Sequence, residues 1–376
     1  MRRTLSDSRR LAAAWLTVAA LALAGCGGSG APAGSSPLPP RPSTRTCLAG
    51  VDLSEGPTTD MPSTLSATGC LSDLASLTPA PDVVPYEVSS PLWADGAVER
   101  RFVSLPPSTK IKVAQDGAWT LPEGAVLIID FAFGDGPGAK SVETRFLIHG
   151  KQSWGFFTYK RGSDGVDGTL DDGDGDSVEV QTRNPTTGAP QTIDFAIPSE
   201  ADCRSCHSNP ATAVLGFRTE DLNHDVRYGS VTLNQLTAFD DAGYFDGLAG
   251  DPSQLPRFPA PSDTNAPVAQ RARSYLQANC AHCHRPGGFA SQSQINIDMR
   301  WETPLADTHL CDAPRAPIPG LGDLRVHPGE PDDSAVYKRM DTTDLANRMP
   351  LLGSVLIDPL GVQVVHDWIA SMTSCP

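Results

Sequence analysis

The chain has 376 residues, a formal net charge of −15 and 39% hydrophobic residues. This acidic balance is the opposite of the basic surface that nucleic-acid-binding proteins carry, so we exclude nucleic acid as a partner. The length is enough for two or three domains of ordinary size.

Four arginines within the first ten residues precede an apolar run over residues 11–24. This pattern predicts a signal peptide over residues 1–25, because the run is too short to span a bilayer. The run ends in the letters LAGC, which resemble the lipobox of bacterial lipoproteins. The resemblance implies export, lipidation of Cys26 and contact with a membrane through that lipid anchor alone, at the outer membrane or the periplasmic face. An ordinary secretory signal with a chance cysteine is the alternative.

Residues 26–45 are rich in Gly, Pro, Ser and Ala and poor in large apolar residues. A segment of this composition cannot bury enough apolar surface to fold. We therefore predict a disordered tether.

Residues 46–200 have the pattern of β-strands. The letters AVLIIDFAF form a short apolar run, SVETRFLIHG and WGFFTYKR alternate, and Gly, Pro and Asp separate them. Runs of this kind between turn residues predict a mostly antiparallel sheet domain.

An acidic, glycine-rich loop over residues 163–176 lies within this domain. Asp172, Asp174 and Asp176 have the spacing of a calcium-binding loop. Ser177 and Arg183 stand where such a loop has its glycine and its bidentate Glu. Calcium binding and a solvated acidic loop are therefore both retained.

Two Cys-x-x-Cys-His motifs follow. Cys203, Cys206 and His207 form the first, in a segment over residues 201–264, and Cys280, Cys283 and His284 form the second. Two thiols at this spacing reach both vinyl groups of a haem, and the imidazole that follows binds its iron. We predict two covalently bound haem c groups, with the two histidines as proximal iron ligands.

Other uses of these cysteines fit less well. Structural zinc pairs usually lie 15 to 20 residues apart and need no trailing His. A thioredoxin-like redox pair belongs near a βαβ pattern, which the sequence lacks. Four further cysteines remain for disulfides in an oxidising compartment, and sequence proximity favours Cys47–Cys70 and Cys311–Cys375 among three pairings.

The last part of the chain, residues 265–376, has helical spacing. Pro267 opens a run of apolar residues spaced as in a helix up to Asn279, and Asp358 with Pro359 begins another helix near the end. We also expect a short helix over residues 332–340. The sequence thus predicts an α+β fold: an N-terminal, mostly antiparallel β domain with the first haem motif at its end, then a helical cytochrome c-like domain with the second haem.

Met349, in the letters NRMPLLG, is the candidate for the sixth ligand of the second iron, because the following proline fixes a loop that would present its thioether. A Met in the core is the alternative. The sixth ligand of the first iron is open. His224 is one candidate, Met340, His149 and Met61 are others, and an unfilled position is a further alternative.

Several segments together resemble a known family. The letters YLQANCAHCHRPGG, HPGEPDDSAVYKRM, RMPLLG and GVQVVHDWIASM resemble the haem helix, axial-Met loop and closing helix of small c-type cytochrome domains. With ATGCLS, SPLWADGA, LPEGAVL, ETRFL, CRSCH and LNQL before them, the chain from about residue 60 onward resembles an uncharacterised family of exported dihaem c-type cytochromes of Gram-negative bacteria. The resemblance implies single-electron transfer in the cell envelope.

The acidic surface favours a basic or neutral protein as redox partner. A peroxidase-like enzyme, with the first haem as the reactive centre, is the alternative function. In a third hypothesis the sheet domain recognises a ligand or a partner.

Overall fold

The computed structural model describes residues 36–114, 119–134, 138–207, 214–248, 250–315 and 320–376. The predicted signal peptide and Cys26 lie outside this part, so their predictions stay untested. No helix in the described ranges is long and apolar enough to cross a bilayer.

Strands are the most frequent elements of the described residues. They are β1 Leu71–Asp73, β2 Thr78–Pro79, β3 Val83–Tyr86, β4 Val98–Ser104, β5 Ile111–Val113, β6 Trp119–Thr120, β7 Val126–Phe133, β8 Lys140–His149, β9 Trp154–Arg161, β10 Gly168–Leu170, β11 Asp176–Arg183, β12 Pro190–Ile197, β13 Asp225–Tyr228, β14 Val231–Asn234 and β15 Phe245–Asp246. The α-helices are α1 Glu200–Cys206, α2 Thr219–Leu222, α3 Gln235–Asp241, α4 Val268–Asn279, α5 Phe289–Gln292, α6 Ala335–Met340 and α7 Pro359–Ser371.

The largest sheet has six antiparallel strands in the order β10-β9-β8-β7-β4-β3. Alternate residues of its central strands enter two different cores. In β7, Leu127 faces one core, whereas Val126 and Ile128 face the other. Because successive side chains of a strand point to opposite faces, a sheet covered on both sides needs a continuous apolar run. This explains the letters AVLIIDFAF.

The segment after the first motif returns to the sheet domain. Strand β15 pairs in parallel with β5, and β13 pairs with β14. Phe217, Leu236 and Phe239 are buried in the same core as Leu127. Residues 36–376 form one compact unit.

The C-terminal end of the predicted tether also packs on this unit. Leu38 is buried in the sheet core, the Ser36 hydroxyl donates to the Ala238 carbonyl (2.8 Å), and Arg45 Nη1 donates to the Gly124 carbonyl (2.7 Å). Burial of Leu38 and these hydrogen bonds anchor the end of a segment that its composition predicts to be disordered.

The predicted fold class is wrong. Within the described residues, β sheets predominate, only 21% of the residues are helical, and residues 265–376 are not a helical cytochrome c-like domain. The helices there are short, and the segment between α5 and α7 is mainly loop. Pro314, Pro328 and Gly329 in this segment are of the types that interrupt helices.

The two predicted terminal helices are confirmed. Helix α4 begins after Pro267, and α7 begins with Pro359 after Asp358, whose side chain accepts from the Leu360 amide (3.0 Å). The helices pack closely: a Cβ added at Gly361 would lie 2.0 Å from Cζ of Tyr275. Only glycine permits this approach, which fixes the end of α4 where the second motif begins.

Both expected disulfides are present, Cys47–Cys70 and Cys311–Cys375. The first is fully buried in one sheet core. The second joins the loop after α5 to the C-terminus, across 64 residues of sequence. The first therefore closes a segment with little regular secondary structure, whereas the second closes a segment that contains α6 and α7.

Candidate functional site

The first motif occupies the end of α1. This helix begins with a capping box, in which the Asp202 amide donates to Ser199 Oγ (3.1 Å) and the Ser199 amide donates to Asp202 Oδ2 (3.0 Å). Cys203 and Cys206, three residues apart, therefore share one face of the helix. His207 ends the helix, with its amide on the Cys203 carbonyl (3.0 Å), and its ring lies against Phe156 of β9 (centroids 5.1 Å apart).

The second motif follows α4 as a tight turn. The His284 amide donates to the Cys280 carbonyl (2.9 Å), and the His284 carbonyl accepts from the Met299 amide (2.9 Å). A Cβ at Gly288 would lie 2.4 Å from the Cys283 carbonyl oxygen, so the letters PGG after the motif allow the chain to fold back over it.

The two motifs meet. The sulfurs of Cys206 and Cys283 are 4.0 Å apart, although 77 residues separate them in sequence. A ring nitrogen of His282 lies within 4.8 Å of both sulfurs. This proximity was not predicted from the sequence, because it depends on how α1 and α4 pack against the sheet.

A cavity of about 780 Å³ lies where the motifs meet. All six motif residues line it, together with residues of β4, β7, β8 and β9 and the loop around Met349. Its volume is in the range of cofactor sites. Large apolar side chains of the lining are exposed, namely Leu92, Leu215, Phe289, Leu351 and Leu352. Exposed apolar surface around a concave site is typical of a site that binds an apolar ligand.

Met349 lines this cavity, as does Met340. The Met349 amide donates to the Arg339 carbonyl (2.7 Å), which ties its loop to α6. The loop after Met349 is bound to the sheet domain, because the Asp95 carboxylate accepts hydrogen bonds from the amides of Val355 (2.8 Å) and Leu356 (2.7 Å).

The same segment of the sheet domain also holds the second motif. The Trp93 amide donates to Oδ1 of Asn279 (2.7 Å), the residue before Cys280, and Trp93 Nε1 donates to the Leu356 carbonyl (2.9 Å). The segment SPLWADGA therefore connects the end of α4 with the Met349 loop. From the sequence alone, this segment was used only as part of a resemblance.

The other candidates for the first iron's sixth ligand differ in position. His224 accepts or donates at Ser89 Oγ (3.1 Å), His149 stacks on Trp154 (centroids 4.6 Å apart) and Met61 is buried in a sheet core. None of these three is among the residues that line the described cavity. Met340 is, and so are Met299 and His282, which the sequence reasoning did not consider.

Burial and neighbouring groups shift the pKa values of several motif residues. Burial lowers the pKa of His284 to about 4, so its imidazole is neutral, which is the form that binds metals. Burial raises the pKa of Cys280 to about 12. The contact between the two adjacent sulfurs lowers the pKa of Cys283 and raises that of Cys206.

The residues present fit a haem-like group. The cavity is apolar, the thiols and imidazoles open into it, and two buried polar atoms on its wall, His284 Nδ1 and Arg339 Nε, have no hydrogen-bond partner in the described structure. A single zinc site formed by all four motif cysteines fits less well. Among the described residues, the three ligand atoms close enough for one ion belong to Cys206, His282 and Cys283.

The structure does not bring the carboxylates of the acidic loop together around one point. Asp172, Asp174 and Asp176 are exposed, and they form no group of three ligand atoms within reach of one ion in the described ranges. Asp176 instead pairs with Lys160 of β9 (3.0 Å). Calcium binding therefore gains no support from the geometry.

No protein-family model, curated protein or solved structure matches the chain. The resemblance to exported dihaem cytochromes accordingly stays a prediction from the motifs.

Proposed function

We propose that this chain is an exported dihaem c-type cytochrome that transfers single electrons. The observation that carries the proposal is that both Cys-x-x-Cys-His motifs open on one apolar cavity, with the sulfurs of Cys206 and Cys283 4.0 Å apart. Each motif has the residue types and spacing that attach haem c. When bound, haem c would supply a one-electron iron couple.

Each side chain has a role in this proposal. Cys203 and Cys206 would bond the first haem and His207 would bind its iron, and Cys280, Cys283 and His284 would do the same for the second. The Met349 thioether would be a further ligand of the second iron. Asp95 holds the backbone of the loop that follows Met349, at Val355 and Leu356.

The shared cavity favours electron transfer between the two groups. The two attachment points are held in position, because the first motif lies on the capped helix α1 and Trp93 binds Asn279 at the start of the second. A basic or neutral redox protein is the expected partner for this acidic chain. The disulfides support an oxidising compartment, in agreement with export.

The test is a redox titration of the protein produced with a haem-attachment system. We expect two one-electron steps in the visible spectrum of the wild type. The Cys203→Ala/Cys206→Ala and Cys280→Ala/Cys283→Ala variants should each lose one step and keep the other. A wild-type protein with no haem absorption would contradict the proposal.

A peroxidase-like enzyme is the second candidate. It is favoured by one observation: His224, His149 and Met61 are not among the described residues that line the cavity, which leaves fewer ligands to close the first iron. In this case the first haem would show a high-spin spectrum and the half-reduced protein would turn over peroxide. A low-spin spectrum for both haems, without turnover, would exclude it.

A further inference from the structure

The thiols of the two motifs lie in a chain whose other described cysteines are oxidised. Two disulfides are present, and four cysteines outside them keep free thiols, namely Cys203, Cys206, Cys280 and Cys283. Disulfides form and persist in oxidising compartments, so any two of these thiols that can meet are open to oxidation there. The position of each sulfur therefore decides which bond forms.

One pair of adjacent sulfurs belongs to different motifs. Cys206 Sγ and Cys283 Sγ lie 4.0 Å apart, and both side chains are half-buried and line the cavity. A disulfide has an S–S length of about 2.0 Å, so the two sulfurs need to approach by about 2 Å. A change of rotamer gives a side chain that reach, and the cavity leaves space for the movement.

Bonds within each motif fit less well. Cys203 and Cys206 lie three residues apart on α1, where Cβ atoms are about 5–6 Å apart. A disulfide requires a Cβ separation of about 3.5–4.5 Å. In the second motif, Cys280 packs against the core formed by α4 and α7, whereas Cys283 faces Cys206. The geometry therefore favours a bond between the motifs over a bond within either one.

A metal ion is the alternative occupant of this cluster. A ring nitrogen of His282 lies within 4.8 Å of both sulfurs, which makes a group of three ligand atoms in the described part of the chain. Structural zinc almost always takes four ligands. Oxidation needs only the two sulfurs that are already adjacent, so the geometry favours it.

We propose that Cys206 and Cys283 form a disulfide that links the two motifs before haem is attached. The oxidant is a second disulfide. A bond forms between the two protein sulfurs and the S–S bond of the oxidant breaks. The two thiol protons and two electrons pass to the oxidant, which leaves as two thiols.

This bond would control haem attachment at both motifs. A haem vinyl group is bonded by a thiol, which adds across the double bond, and a disulfide has no thiol to add. One bond blocks a cysteine of each motif, so neither haem would be fully attached until a reductant cuts it. This consequence rests on the proposed function, whereas the bond itself does not require haem.

The experiment maps the disulfides of the full chain, produced without a haem-attachment system and treated with glutathione disulfide. Free thiols are alkylated with iodoacetamide, and the unreduced chain is digested with trypsin and analysed by mass spectrometry. Cleavage after Arg204 separates Cys203 from Cys206, and fragmentation of the linked peptides distinguishes Cys280 from Cys283. We expect Cys206 linked to Cys283, with Cys203 and Cys280 alkylated.

Two variants sharpen this test. Cys206→Ser should expose Cys283 to iodoacetamide. Cys203→Ser, one turn away on α1, is the matched control and should keep the link between the motifs. The Cys47–Cys70 bond in the same digest reports that the chain is folded. Four free or glutathione-bound thiols, a bond within either motif, or a metal ion bound to unlinked thiols would overturn the inference.

Haem content separates this failure from a failure of the proposed function. The linked chain, given the attachment system, should gain two haems with a dithiol and lose complete attachment at both motifs without it. Two haems attached to a chain that shows no link beforehand would overturn this inference alone. A link between the motifs, with no haem attached after its reduction, would overturn the proposed function alone.

Discussion

At the scale of single residues, the structure shows where the predicted iron ligand Met349 lies. Its side chain lines the cavity that the second motif enters, and its amide is fixed on Arg339. A Met ligand raises the potential of a haem and keeps its iron low-spin.

The Met349→Leu variant should therefore give a high-spin second haem with a lower potential, without loss of attached haem. Magnetic circular dichroism of the oxidised protein measures this change. Met61→Leu, in a core outside the cavity, is the control and should keep the wild-type spectrum. An unchanged spectrum for Met349→Leu would contradict the assignment.

Asp221 gives a prediction on pH. Burial raises the pKa of this cavity-lining carboxyl to about 6, above the ordinary value near 4. A carboxyl with a raised folded-state pKa holds its proton more tightly when folded, so its contribution to stability is lost as the pH rises from about 4 through 6.

Relative to the wild type, Asp221→Asn should gain up to about 3 kcal/mol in unfolding free energy between pH 4 and pH 7. Urea unfolding at these two pH values measures the difference. The same change in unfolding free energy for both proteins between pH 4 and pH 7 would contradict the raised pKa of Asp221.

The two Cys-x-x-Cys-His motifs could be found in the sequence, whereas the place of His282 beside their sulfurs and the residues that position the motifs could not. Cysteine pairs followed by His define the motifs locally. The bond from Asp95 to Leu356 spans 261 residues, and the missing partner of Arg339 Nε depends on the packing of α6. No local pattern encodes such contacts.

At the scale of elements, α4 and α7 were predictable because helical spacing and an N-terminal proline mark them. Strands β13, β14 and β15 were not predicted. They have two to four residues each, and β15 depends on pairing with the distant β5. Such short strands have too few positions to show an alternating pattern.

The crossing of α4 and α7 can be tested with Gly361→Ala. Alanine favours helix by about 0.5–1 kcal/mol over glycine. The added Cβ would lie 2.0 Å from Tyr275, however, and overpacking of this kind costs about 1–3 kcal/mol or more. We expect a net loss of stability in urea unfolding. Gly138→Ala, where an added Cβ meets nothing within 4 Å, is the control. A stabilised Gly361→Ala variant would contradict the crossing.

At the scale of the whole molecule, the predicted separate domains are joined. The segment after the first motif completes a core of the sheet domain, and Trp93 and Asp95 of that domain hold the end of α4 and the Met349 loop. The helical domain was expected from its terminal helices, from a short helix over residues 332–340 and from the resemblance to small c-type cytochrome domains. The glycine- and proline-rich chain between them gains its order from packing and from Cys311–Cys375.

The effect of removing the Cys311–Cys375 disulfide on the free energy of unfolding can be predicted. Its cysteines are 64 residues apart in sequence, and closing a loop of that length removes about 4 kcal/mol of entropy from the unfolded chain. Cys311→Ala/Cys375→Ala should lower the unfolding free energy by about 2–4 kcal/mol in urea. The same urea midpoint as the wild type would contradict this role.

The central claim is that haem is covalently attached at both motifs, and the intact mass of the mature protein tests it most directly. We predict the mass of the processed chain and its lipid plus two haems, and the loss of one haem from each of the Cys203→Ala/Cys206→Ala and Cys280→Ala/Cys283→Ala variants. A mass without haem, or a stoichiometric zinc ion bound to Cys206 and Cys283, would contradict the claim.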